Sequence, residues 1–243
     1  MRKNNLIGIV VLFIILAGIV LYAAIRPVPA SAPGTAGMLP ALPEGKYTEQ
    51  TPYYDIAANY ATSTPLDSSA NATAITLMKN FVSDTIEQFK SGIDLSNAQG
   101  NKAKLQIVYL IASSPHTISY IFTIYEETSR IHGNTLFKTF TFDTGSGALL
   151  ALTNLFTPGS DYLDTLSSLA RAKLPDIIGQ GADTTFISNG TTPIDKNFEN
   201  FFFDNQDFVI LFAPYQVAPY TAGPQTLRIP VSELSHILKL AYR

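Results

Sequence analysis

Three runs between residues 104 and 143 restrict the fold more than any other part of the sequence. KLQIVYLIA (104–112) and TISYIFTIY (117–125) are rich in β-branched and aromatic residues, which suit a pleated, extended backbone. Ser113-Ser114-Pro115-His116 forms the turn between them. The third run, 136–143, puts Phe137, Thr139 and Thr141 on one face and Leu136, Lys138, Phe140 and Phe142 on the other. Thr144-Gly145-Ser146-Gly147 then reverses the chain. Short connections of this kind join antiparallel neighbours.

The remaining pattern adds helices to this sheet. Residues 53–61 partly alternate and read as a strand. Residues 69–90 read as an amphipathic helix, because Ile75, Met78, Phe81, Val82, Ile86 and Phe89 recur at steps of three and four, and Gly92 closes it. Residues 149–156 read as a short strand and loop. A second helix is predicted over 161–174, with Ser160 or Asp161 as N-cap. Residues 177–195 are rich in Gly, Thr and Asn and read as loops. A hairpin follows, 198–203 and 208–213, turning at Asp204-Asn205-Gln206. Residues 225–229 form a short strand. Pro230 opens a last helix striped by Leu234, Ile237, Leu238 and Ala241. The expected fold class is α+β: a mostly antiparallel sheet with helices packed on it, preceded by one N-terminal transmembrane helix.

That transmembrane expectation rests on residues 6–25, LIGIVVLFIILAGIVLYAAI, twenty residues without a charge. At about 1.5 Å per residue they span a hydrocarbon core of roughly 30 Å. The length fits an uncleaved signal anchor. Pro29-Ala30-Ser31-Ala32 keeps a second reading open, a cleaved signal peptide. Arg2 and Lys3 precede the run, so the positive-inside rule places 1–5 as a cytoplasmic tip and the C-terminal domain outside. The expected location is the cytoplasmic membrane, single-pass, with the N-terminus inside. Residues 26–46 are rich in Pro, Gly and Ala and read as a linker.

Charge narrows the function. Charged residues make up 14% of the chain, against about 25% in ordinary soluble domains. Without Arg2, Lys3 and Arg26, the 16 basic residues fall to 13 against 19 acidic ones, a balance of −6 for the outer part. An acidic surface does not neutralise phosphate, so nucleic acid is not an expected partner. The absence of cysteine excludes disulfides, thiolate metal sites and a cysteine nucleophile.

Few motifs carry chemistry. Phe142-Asp143-Thr144-Gly145-Ser146 spells the signature of an aspartic protease. That reaction needs two carboxylates sharing a proton, hence a homodimer, with Ile177-Ile178-Gly179 as a later element. Tight-turn chemistry explains the same residues without catalysis. His116, His132 and His236 have no ligand-spaced partners, so no metal and no cofactor are expected. His132 is either a functional loop residue or a turn histidine bonding backbone. Tyr215 and Tyr220, each beside a proline, are either a recognition surface or rings packed over the sheet.

The most specific text is residues 200–234, NFFFDNQDFVILFAPYQVAPYTAGPQTLRIPVSEL. It resembles DUF3298, the domain of RsiV-like extracytoplasmic proteins, whose block pairs an aromatic hairpin with a "PY.VAPYAAGP" loop and an "IP" strand end. Pro214, Tyr215, Val217, Ala218, Pro219, Tyr220, Ala222, Gly223 and Pro224 match the loop, and Thr221 departs from it. His132-Gly133 resembles the end of the family's "GGAHG" loop; Ser129, Arg130 and Ile131 depart. Residues 47–98 resemble the PdaC-like (DUF4163-type) part that often precedes the DUF3298-like domain, here 99–243. The resemblance implies a non-catalytic binding module of the bacterial cell envelope. The ligand-binding residues it implies are His132, Gly133, Tyr215, Tyr220 and Gly223, with no catalytic residue. The implied partner is a cell-wall polymer or a lysozyme-like cationic protein. The alternative is an envelope hydrolase, either the Asp143 protease dimer or a wall-modifying enzyme.

Overall fold

The computed structural model describes residues 44–93, 102–128 and 132–243. The expected transmembrane segment, 6–25, lies outside them. No helix among the described residues is long and apolar enough to cross a membrane.

The first sheet has five strands in sequential order: β1 (Glu44–Gln50), β2 (Tyr54–Ala61), β3 (Ala103–Ser113), β4 (Thr117–Glu127) and β5 (Asn134–Asp143). All pairs are antiparallel except β2 and β3. That pair is parallel because helix α1 (Ser68–Ser91) is its crossover connection. Asp67 caps α1, accepting from the Ser69 and Ala70 amides at 3.0 and 2.9 Å. The helix buries Met78, Val82, Ile86 and Phe89 in one core with Ile56 of β2, Leu105 and Ile107 of β3, and Tyr120 and Phe122 of β4. The sheet is therefore mixed. It also unites strands from both sides of the expected 98/99 boundary.

A second, three-stranded antiparallel sheet holds β6 (Phe201–Asp204), β7 (Asp207–Phe212) and β8 (Gln225–Pro230). The expected single sheet is thus two. Helix α2 (Tyr162–Ile178) packs on β8, and Leu166, Ala170 and Leu174 join Phe208, Ile210, Phe212, Leu227 and Ile229 in one core. α2 runs four residues beyond the predicted Leu174 end. Pro175 removes a backbone donor without stopping it, and Gly179 ends it at φ +73°. The stretch expected as loops contains α3 (Thr184–Gly190), capped by Asp183 through the Thr185 and Phe186 amides at 2.7 and 3.1 Å. The predicted short strand before α2 is instead a 3-10 turn, Leu152–Leu155. The predicted last helix stops after one turn, α4 (Val231–Leu234). Leu238 leaves the helix to bridge Phe156, and the Lys239 amide bonds to the Leu155 carbonyl at 2.9 Å.

β6 lies across β3, β4 and β5, so β4 is covered on both faces. One face is apolar. The other carries Thr117, Ser119 and Ile121, all buried. Hydroxyls there satisfy the backbone they cover. Ser119 Oγ lies 2.9 Å from Thr141 Oγ1, which donates to the Phe201 carbonyl at 3.1 Å. Nearby, the Thr139 amide donates to Asn200 Oδ1 at 3.3 Å.

β1 is fastened differently. Glu49 accepts from Lys90 Nζ at 2.7 Å, from Tyr54 Oη at 2.7 Å and from Tyr47 Oη. Those donors, Lys90 foremost, hold its carboxyl down to about 2 from an ordinary 4.5.

Two outcomes follow from these contacts. Thr141→Val keeps the volume but leaves the Phe201 carbonyl and Ser119 hydroxyl without this partner. It costs about 1–3 kcal/mol in urea unfolding, against near-neutrality if the hydroxyls are incidental. For Glu49 the folded value lies below the unfolded one. Its network therefore stabilises fully above pH 4.5 and fades as pH falls toward 2. The Tm difference between the wild type and Glu49→Gln narrows over that window.

Candidate functional site

The expected site residues come from two loops far apart in sequence. One leads into β5. There His132 is exposed and Gly133 buried. A β-carbon at Gly133 would sit 2.1 Å from the Tyr125 phenol oxygen, so only glycine fits. The other loop joins β7 to β8. Val217 and Ala218 are buried and anchor its middle. Gln216 pins it further, donating from Nε2 to the Asn197 carbonyl at 2.9 Å and the Gly190 carbonyl at 3.3 Å. The end of α3 presses on this point: a β-carbon at Gly190 would meet the Gln216 carbonyl oxygen at 1.9 Å.

With its middle anchored, the loop turns its tyrosines toward His132. The His132 and Tyr220 rings stack with centroids 4.0 Å apart and planes 30° apart. Tyr215 lies beside them, 5.4 Å from Tyr220 at 31° and 6.4 Å from His132 at 35°. Tyr220 Oη donates to the Gly133 carbonyl. Tyr215 Oη lies 3.5 Å from His132 Nε2. Tyr215 is 52% exposed. Its backbone is in the left-handed region, φ +68°, which costs a non-glycine residue about 1–3 kcal/mol.

Four of the five expected residues thus meet. Gly223 does not join the rings. It closes the 3-10 turn Tyr220–Ala222 at φ +68°, its amide bonding the Tyr220 carbonyl at 2.9 Å, and so sets the loop's return to β8. Sequence reasoning missed Tyr125, whose phenol lies against Gly133 and donates to Glu127 at 3.3 Å. Burial first, then the Glu127 charge, push its phenol pKa up from the ordinary value. As one aromatic in a strand of aromatics, it gave no signal of its own.

The other singled-out residues lie elsewhere. His116 is exposed in the β3–β4 turn, its carbonyl accepting from the Thr144 amide at 3.0 Å, and His236 is exposed after α4. Among the described residues no group of three His, Cys, Asp or Glu is placed to hold a metal. Asp143 organises its turn, accepting from the Ser146 amide at 2.7 Å, Ser146 Oγ at 2.8 Å and Tyr242 Oη at 3.1 Å. Burial pushes its carboxyl up, but the Ser146 and Tyr242 donors outweigh it and hold the group below its ordinary range. Ile177 and Ile178 end α2 rather than a strand. Two shallow depressions lie away from the rings. One runs between Asp67, Leu77, Ser146 and Leu149, the other between Lys173, Asp176, Thr226 and Arg228.

Comparison with known proteins places the chain. Residues 153–232 match the family described as "Protein of unknown function (DUF3298)". That match holds Tyr215, Tyr220 and Gly223, while His132 and Gly133 precede it. The chain is 30% identical over 187 residues to the peptidoglycan-N-acetylmuramic acid deacetylase PdaC of Bacillus subtilis, covering 76% of this chain and 40% of that protein. It therefore spans about two fifths of that relative. It is 23% identical over 162 residues to an esterase of Mycobacterium tuberculosis, covering 63% of this chain and 70% of the esterase. A DUF3298 family structure from Bacteroides fragilis superimposes with a TM-score of 0.59 at 16% identity, covering 82% of this chain and 94% of that one. One from Pseudomonas aeruginosa gives 0.56 at 15%, covering 84% and 97%. The chain carries a DUF3298 domain.

Two glycines hold the site for different reasons. Gly133→Ala forces Tyr125 or the Tyr220–Gly133 bond aside and costs about 1–3 kcal/mol. Gly223→Ala puts a side chain at φ +68° and ψ −169°, a region only glycine adopts readily, and costs about 1–3 kcal/mol. Urea unfolding measures both, and a near-neutral substitution at either position contradicts its assignment.

Proposed function

We propose that this DUF3298-domain protein is a membrane-anchored, non-catalytic binding module on the outer side of the bacterial cytoplasmic membrane. Residues 6–25 would hold it there, the expected 26–46 linker would tether it as far as residue 43, since Glu44 already opens β1, and the ring cluster would meet cell-wall material. One observation carries the reading: Tyr215 and Tyr220 converge with His132, more than eighty positions away, on an exposed patch held by buried anchors. Tyrosines so placed bury area on contact and keep a polar handle. The likeness to a peptidoglycan deacetylase over the part spanned by this chain supports an envelope setting.

The competing reading is an envelope hydrolase, supported by the names of the deacetylase and esterase relatives. Turnover of wall material or protein by the purified chain, abolished by Asp143→Asn for the protease version, would favour it.

Pelleting with purified peptidoglycan sacculi tests the binding reading. The wild type co-sediments above a control domain, and a Tyr215→Ala/Tyr220→Ala double variant loses most of it, about tenfold or more. No enrichment of the wild type counts against the module.

A further inference from the structure

Resting on that reading, we propose that the exposed ring of Tyr215, set beside the stacked rings of His132 and Tyr220, is a saccharide platform that takes the flat face of an uncharged pyranose of the wall glycan. His132 and Tyr220 stack with centroids 4.0 Å apart and so cover one another on that side, while Tyr215 lies 5.4 Å from Tyr220 and is 52% exposed. An open ring face fits a flat ligand. A small ammonium ion binds best over ring faces that surround it, and these rings do not enclose one. An anionic ring system, such as a nucleobase in its polymer, meets an outer region at −6. The C–H face of a pyranose is flat and weakly positive at its hydrogens, which complements the negative face of an aromatic ring. At the rim, Tyr215 Oη and His132 Nε2 stand 3.5 Å apart, where they can exchange hydrogen bonds with sugar hydroxyls.

The backbone of Tyr215 points the same way. Glycine would hold φ +68° without strain, and the tyrosine there is 52% exposed. Strain kept for an exposed ring is explained by what the ring contacts. The ring is thus kept at a cost to the fold.

Purified full-length protein titrated calorimetrically with an N-acetylglucosamine tetramer tests this. Tyr215→Ala and Tyr215→Gly weaken binding by about tenfold or more, and Tyr215→Phe retains most of it. Tyr215→Gly leaves the Tm unchanged or raises it by about 2–4 °C, because strain is relieved. Tetramer affinity changes by less than about twofold between about 0.05 and 0.5 M NaCl, whereas attraction of a cationic protein would be screened. Lysozyme is run in parallel. The proposal is overturned if the tetramer is ignored, if it binds without regard to Tyr215, or if Tyr215→Gly lowers the Tm by more than about 4 °C. Lysozyme binding through Tyr215 with the tetramer ignored also overturns it. If the protein pellets with sacculi whatever stands at 215, the platform fails and the envelope reading survives. If it binds neither sacculi nor lysozyme, both fail.

Discussion

The double burial of β4 is the constraint on which the rest of the structure depends. A strand covered on both faces must satisfy every polar group it takes out of water. β4 meets this by dividing its side chains. Ile118, Tyr120, Phe122 and Ile124 join the apolar core under α1. Thr117, Ser119 and Ile121 face the second layer, where Ser119 and Thr141 relay hydrogen bonds to the β6 backbone. Neither half is complete alone: the five-stranded sheet would expose Ile121, and β6 would lose the hydroxyl donor to its Phe201 carbonyl. The far end of β4 carries Tyr125 to Gly133, and so places the β5 loop against the β7–β8 loop.

Elements with strong periodicity were legible in the sequence. β2 to β5, α1 and the β6–β7 hairpin appear close to where their patterns put them. Three others were obscured for separate reasons. β1 alternates in burial, but Tyr47 is the only large apolar residue on its inner face, and its attachment depends on the Glu49–Lys90 network. α3 is short and reads as Thr- and Asn-rich loop; Asp183 at its cap was the available signal. The last helix failed because Ile237 and Leu238 are buried outside helical backbone, held by bridges to Phe156 and its neighbours. A stripe of apolar residues records burial, and more than one backbone can deliver it.

The site was legible only through resemblance. Nothing in the spacing of His132 and Tyr215 brings them together; the loop motif did, and the stacked rings give it a physical form. Tyr125 and Gln216 position the motif and carry no pattern. By contrast Asp143, which looked most like chemistry, has its carboxylate engaged by Ser146 and Tyr242. The anchored loop middle and the strained Tyr215 backbone together describe a surface arranged before any ligand arrives. Such preorganisation lowers the ordering cost of binding.

The most direct measurement of that claim is NMR of protein labelled at its tyrosine rings, titrated with soluble peptidoglycan glycan fragments. The chain has 12 tyrosines, distributed over both halves. The account predicts shifts concentrated at Tyr215 and Tyr220, with smaller ones at Tyr125. Saturating fragments that leave Tyr215 and Tyr220 unmoved, or move tyrosines elsewhere such as Tyr47 and Tyr54, would contradict it.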